Sequence, residues 1–124
     1  MPSETPRIVV VEDDASMSQA IKRILRAGGF MVDTFSCAED ALEVEATSAA
    51  DCLVLDIHLP GMSGFDLYRQ LFNSGKGIPA IFITGHDQPA AREQAARLAG
   101  KSGYLPKPFS GEELLNAVRH VLRD

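Results

Sequence analysis

The chain has no tryptophan, only two cysteines, and only 6% aromatic residues in 124 positions. Cys37 and Cys52 show neither the spacing of a metal knot nor a disulfide framework, so both read as small packing residues. Long apolar runs are missing too. None approaches the ~20 residues of a membrane-spanning helix, and the opening MPSETPR holds no apolar core of a secretion signal. A cytoplasmic location without membrane contact is the expectation. Positive charge is in deficit, with 12 Lys and Arg against 17 Asp and Glu and a net charge of −5. That balance argues against direct nucleic-acid binding, which draws its affinity from cationic patches on phosphates. Lys22, Arg23 and Arg26 do cluster, but on the polar side of an expected helix, where a solvated face accounts for them. Repeats, low-complexity segments and linkers are absent, which leaves one domain over residues 1–124. A chain of this size buries roughly two thirds of its unfolded surface.

What is present is alternation. IVVV within Arg7–Val11, CLVL within residues 50–56 and IFI within Ala80–Thr84 are continuously apolar, as strands are when both sheet faces are covered. MVDTF at Met31–Phe35 alternates and residues 103–105 are short, so these two belong at sheet edges. Helical stretches lie between them. Met17, Ile21, Ile24 and Leu25 recur at helical spacing before Gly28 and Gly29, which stop the helix. Ser36 with Glu39 and Ser110 with Glu113 form capping boxes, and Ser63 with Asp66 approximates one. Pro89 suits the first turn of an alanine-rich helix ending near Gly100. The last helix lines up Leu114, Leu115, Val118, Val121 and Leu122. Five strands alternating with five helices imply an α/β doubly wound (βα)5 fold, a five-stranded parallel sheet in the order 2-1-3-4-5.

In that order the winding reverses between strands 1 and 3, and ligands bind outside the carboxyl ends of strands at such a point. Glu12, Asp13, Asp56, Thr84 and Lys107 all follow or end strands and gather there. Carboxylates suit a hard cation that takes oxygen ligands, Mg²⁺ above all, and a lysine neutralises phosphate oxygens. Asp13 and Asp56 would bind the ion directly, and Glu12 directly or through water. Like charges packed together without metal should raise at least one carboxyl pKa. Helix capping alone explains Asp14, but not Asp56 after CLVL. Asp56, placed centrally, is the candidate nucleophile toward phosphorus, with Lys107 and the Thr84 hydroxyl on the phosphoryl oxygens. Met17 in the first turn of helix 1 and Phe109 after Pro108 are apolar groups that rim the same site.

VVVEDD, LVLDIHLPGMSG around Asp56, FITGH at Thr84 and GYLPKPF through Lys107 together resemble the receiver domain of two-component response regulators, over residues 7–122. The resemblance implies a flavodoxin-like fold and Mg²⁺ held by Asp13, Asp56 and the His58 backbone carbonyl, with Glu12 assisting. It implies phosphoryl transfer to Asp56 from a histidine kinase or histidine phosphotransfer protein, at a surface that includes Met17 and Phe109. A cis bond between Lys107 and Pro108 and a conformational switch of Thr84 and Tyr104 are also implied. Glu12 replaces a commoner aspartate, Pro106 before Lys107 is unusual, and Lys101 stands where the family usually has alanine. The resemblance implies that His58 and His86 occupy positions that border the phosphoryl group.

The expected function is a phosphorylation-activated signalling switch, not an enzyme apart from phosphotransfer and autodephosphorylation at Asp56. Its output face is helix 4, strand 5 and helix 5, where Ala91, Ala95, Ala96 and Ala99 suit close contact and a homodimer is an expected form. An alternative is a receiver fragment of a longer DNA-binding transcriptional regulator. A remote one is a Mg²⁺-dependent phosphohydrolase, but that chemistry wants a second Asp two residues after the nucleophile, where His58 stands. A flavin electron carrier needs a phosphate-cradling first loop, whereas EDDAS presents three acids.

Overall fold

A computed structural model describes residues 5–44, 47, 49–75, 77–98 and 102–123. Strands β1 (Arg7–Val11), β2 (Met31–Phe35), β3 (Cys52–Asp56), β4 (Ala80–Thr84) and β5 (Ser102–Pro106) form one parallel sheet in the order β2-β1-β3-β4-β5. Among the described residues five helices alternate with them: α1 (Ala15–Ala27), α2 (Ala38–Leu42), α3 (Gly64–Asn73), α4 (Pro89–Leu98) and α5 (Gly111–Leu122). The flavodoxin-like topology is as expected. Ala99, Gly100 and Lys101 lie outside the described residues.

The alternation of strand side chains sorts the core into two layers. Ile8, Val10, Val54, Ile81 and Ile83 meet Ile21 and Leu25 of α1 and Leu114, Val118 and Val121 of α5. Val9, Val11, Leu53, Leu55 and Phe82 meet Ala38 and Ala41 of α2, Phe65, Leu67, Tyr68 and Leu71 of α3, and Ala95 of α4. Every residue of β3 and β4 is buried, which is why those runs show no alternation. Cys52 is fully buried in the α1/α5 layer, and burial pushes its thiol up to about 12, so it packs and does not react.

Local chemistry sets the helix ends. Asp14 caps α1, accepting from the Ser16 and Met17 N–H groups at 2.9 and 3.2 Å. The helix stops at Gly28, with Gly29 at φ +96°. A β-carbon on Gly28 would lie 2.5 Å from Leu115 Cδ2, so with any other residue there the Leu115 side chain of α5 would have to shift. Ser63 caps α3 through the Asp66 N–H at 3.1 Å, and Ser110 with Glu113 completes the expected capping box on α5. The Ser36–Glu39 box does not form. The α2 N-cap is Cys37, whose side chain makes no capping bond, and the Glu39 carboxylate lies instead beside Gly61 of the β3–α3 turn. The alanines of α4 also depart from expectation. Ala95 is 1% exposed and Ala91 packs on the core, so of the described three only Ala96 is on the surface.

Candidate phosphoacceptor site

The strands are in register, pairing Val11 with Leu55, Asp56 with Ile83, and Thr84 with Pro106. The residues that end or follow β1, β3, β4 and β5 therefore share one edge. Glu12, Asp13 and Asp56 bring one carboxylate oxygen each to within 4.8 Å of the others. Lys107 reaches them from beyond β5, its Nζ 3.1 Å from Asp56 Oδ2 and 2.9 Å from Glu12 Oε1. The Lys107 N–H donates to the Thr84 carbonyl at 2.7 Å, which ties this loop to β4. The Lys107–Pro108 bond is cis.

Asp56 is 4% exposed and fixed on both oxygens: Lys107 holds Oδ2, and the His58 N–H donates to Oδ1 at 2.9 Å. Glu12 is 1% exposed. Its Oε2 accepts from the Asp14 N–H at 3.0 Å, and its Oε1 pairs with the Lys107 ammonium at 2.9 Å. Burial pushes the Glu12 carboxyl up to about 7 from its ordinary 4.5; the Lys107 ammonium and the Asp14 N–H oppose this, and Asp56 adds to it. Desolvation thus outweighs the like-charge repulsion expected from sequence. Burial works against the Lys107 ammonium as well, but Glu12 and Asp56 outweigh it and hold its pKa above the ordinary value. Asp13 is exposed and lines, with Glu12, Ser18, Gln19 and Thr34, a cleft of about 300 Å³ that opens the cluster to solvent. An anionic pocket of three carboxylates and one cation suits a divalent ion on the oxygens and a phosphoryl group between Asp56 and Lys107.

Thr84 ends β4 at this same edge, where its side chain bonds within its own loop. Its buried hydroxyl donates to the His86 carbonyl at 3.1 Å and accepts the His86 N–H at 2.9 Å. Tyr104, half-buried, accepts from the Gln88 N–H at 3.4 Å, and its hydroxyl is pushed up, first by burial. Met17 and Phe109 are half-buried and both pack against the α1/α5 layer. Gly64 escaped sequence reasoning. A β-carbon there would stand 2.3 Å from the Asp56 carbonyl oxygen, so the first turn of α3 can close on the β3 terminus only with glycine. The GMSG string, part of the motif around Asp56, carried that signal without marking which glycine mattered.

An aspartate at the end of the central strand, clustered with two further acids, and a lysine before a cis proline are the features by which the sequence resembles a signalling α/β domain. The chain belongs to the response regulator receiver domain family, whose description matches residues 8–119. Response regulator protein TodT of Pseudomonas putida is 40% identical over 116 residues, covering 94% of this chain and 51% of that protein. Response regulator MprA of Mycobacterium leprae is 38% identical over 118 residues, covering 94% of this chain and 51% of that one. The chain thus spans about half the length of these curated relatives. The non-phosphorylated HemR receiver domain from Leptospira biflexa aligns with a TM-score of 0.87 at 30% identity, covering 97% of this chain and 96% of that one. The beryllofluoride-activated DrrB receiver domain gives 0.85 at 28%, covering 96% and 98%. No described helix is long and apolar enough to cross a membrane.

Proposed function

We propose that this domain is a phosphorylation-driven switch in which Asp56 accepts a phosphoryl group from a histidine kinase or histidine phosphotransfer protein. The carrying observation is the Asp56 carboxylate itself, buried, held by Lys107 and the His58 N–H, and clustered with Glu12 and Asp13. An Asp56 oxygen forms the new P–O bond as the donor's P–N bond breaks, and the electron pair leaves on the donor histidine nitrogen. Lys107 then exchanges a carboxylate oxygen for a phosphoryl oxygen. Asp13, Asp56 and the His58 carbonyl would hold Mg²⁺, with Glu12 assisting, and the meeting of one oxygen each from Glu12, Asp13 and Asp56 within 4.8 Å fits that role. When bound, the ion supplies charge that neutralises the carboxylates and the transferring group. Autodephosphorylation by water is the only turnover, and the domain acts on itself.

Phosphorylation draws the Thr84 hydroxyl away from His86 toward the new acceptor oxygens, and Tyr104 moves into the vacated space. The readout face is α4, β5 and α5, with Arg92, Arg97 and Arg119 exposed on it for a dimer or another partner. Met17 and Phe109 rim the site for the kinase. A second reading, the receiver unit of a longer DNA-binding regulator, is favoured by relatives of which this chain matches half. Incubation with Mg²⁺ and acetyl phosphate, followed by mass spectrometry, tests the core claim. One acyl phosphate on Asp56 is expected, and equal labelling of an Asp56→Asn variant would sink it.

A further inference from the structure

Two of the chain's three histidines, His58 and His86, stand together, two residues beyond Asp56 and Thr84 respectively, with ring centroids 5.5 Å apart and planes at 79°. Both are exposed, and neither imidazole makes a hydrogen bond among the described residues. Their backbones, by contrast, are pinned. The His58 N–H donates to Asp56 Oδ1, and the His86 N–H and carbonyl close a two-bond turn with the Thr84 hydroxyl. The pair thus projects from the ends of neighbouring strands β3 and β4.

That separation is what one metal ion asks of two imidazoles. A zinc–nitrogen bond of about 2.0–2.1 Å puts each ring centre about 3 Å from the metal, so two rings at a tetrahedral angle have centroids roughly 5 Å apart. The exposed rings can turn a nitrogen each toward a shared ion without moving the pinned backbone. Imidazole suits zinc, copper and nickel, whereas carboxylate and carbonyl oxygens suit magnesium. The inner oxygen cluster and the outer nitrogen pair therefore differ in the cation they prefer.

We propose that His58 and His86 form a second cation site, for a borderline divalent ion such as Zn²⁺, lying across the approach to Asp56. Waters complete its coordination. The occupied site obstructs the phosphodonor, so zinc slows phosphorylation. This consequence rests on the phosphoacceptor reading of Asp56, whereas the binding itself does not.

Titration of the full chain with Zn²⁺ in saturating Mg²⁺, followed by calorimetry and imidazole NMR signals, tests the site. One zinc per chain is expected, shifting His58 and His86 and leaving His120, exposed on α5, unmoved. Even the outer partners of a metal ligand are worth about 10- to 100-fold in affinity, so His58→Gln and His86→Gln should each weaken binding at least about tenfold. Asp13→Asn should leave zinc affinity intact. Gln variants that bind as tightly as the parent, an equal shift of His120, or loss of zinc binding in Asp13→Asn would each overturn the site. In a second arm, zinc should slow acetyl phosphate labelling of the parent but not of the double Gln variant. Labelling of the parent unslowed by bound zinc refutes the occlusion. Absence of labelling without zinc refutes the phosphoacceptor reading instead, and the binding arm still decides the site.

Discussion

The Arg92 guanidinium carbon lies 4.6 Å from the centre of the Tyr104 ring, while one of its nitrogens donates to both Asp87 oxygens at 3.1 and 3.0 Å. The Tyr104 hydroxyl in turn accepts from the Gln88 N–H. Arg92 thus clasps the proposed switch aromatic to the same loop that engages the Thr84 hydroxyl. Because the arginine is more than half exposed, its contacts are screened. Stacking at such sites is worth about 0.5–1 kcal/mol, so Arg92→Ala should lower stability by about 1 kcal/mol or less. The same variant should move the Tyr104 ring NMR signals. Unmoved signals would show that the clasp does not position the ring.

Glu12 makes stability depend on pH. Its folded carboxyl titrates at about 7 against an ordinary 4.5, so between those values the folded state keeps a proton that the unfolded state has released. The favourable contribution is therefore full below 4.5 and lost as pH rises through 7. Metal-free protein should show this fall in denaturant titrations, and Glu12→Gln should abolish it. Mg²⁺ affinity, measured by calorimetry, should rise over the same range, because the ion competes with that proton.

Magnesium should stabilise the fold, since the carboxylate cluster exists only in the native state. At roughly ten times its Kd a ligand of this kind adds about 1.4 kcal/mol. Thermal melts of the parent should shift upward with millimolar Mg²⁺, and Asp13→Ala should lose that shift. A retained response in the variant would mean that Asp13 is not a ligand.

Gly64→Ala should damage both stability and phosphorylation. The added β-carbon meets backbone, 2.3 Å from the Asp56 oxygen and 3.2 Å from the Ile57 α-carbon, with no flexible side chain to give way. Overpacking of this type costs about 1–3 kcal/mol. Gly77→Ala is the control, because its β-carbon would find only the Phe72 ring at an ordinary 3.9 Å. Urea titration and the rate of Asp56 labelling would separate the two.

Period and punctuation, both local quantities, carried the fold in the sequence. Unbroken apolar runs marked β3 and β4 because both sheet faces are covered, Gly28 and Gly29 marked the end of α1, and Ser110 with Glu113 marked the start of α5. The acids and Lys107 were legible for a related reason: residues after parallel strands must meet at one edge, whatever the intervening helices do. The remainder depended on distances between segments remote in the chain. The Ser36 cap failed because the chain entered α2 one residue later, at Cys37. Ala95 faces the core and packs with the Phe82 layer, and alanine suits a buried face as well as an exposed one. Desolvation, not repulsion, governs Glu12, and only the surrounding packing sets how much water is excluded. The closeness of Gly64 to Asp56, the clasp of Arg92 on Tyr104 and the meeting of His58 with His86 were likewise decided by tertiary structure, because each is a separation of a few ångströms between side chains or backbone that no spacing in the sequence encodes.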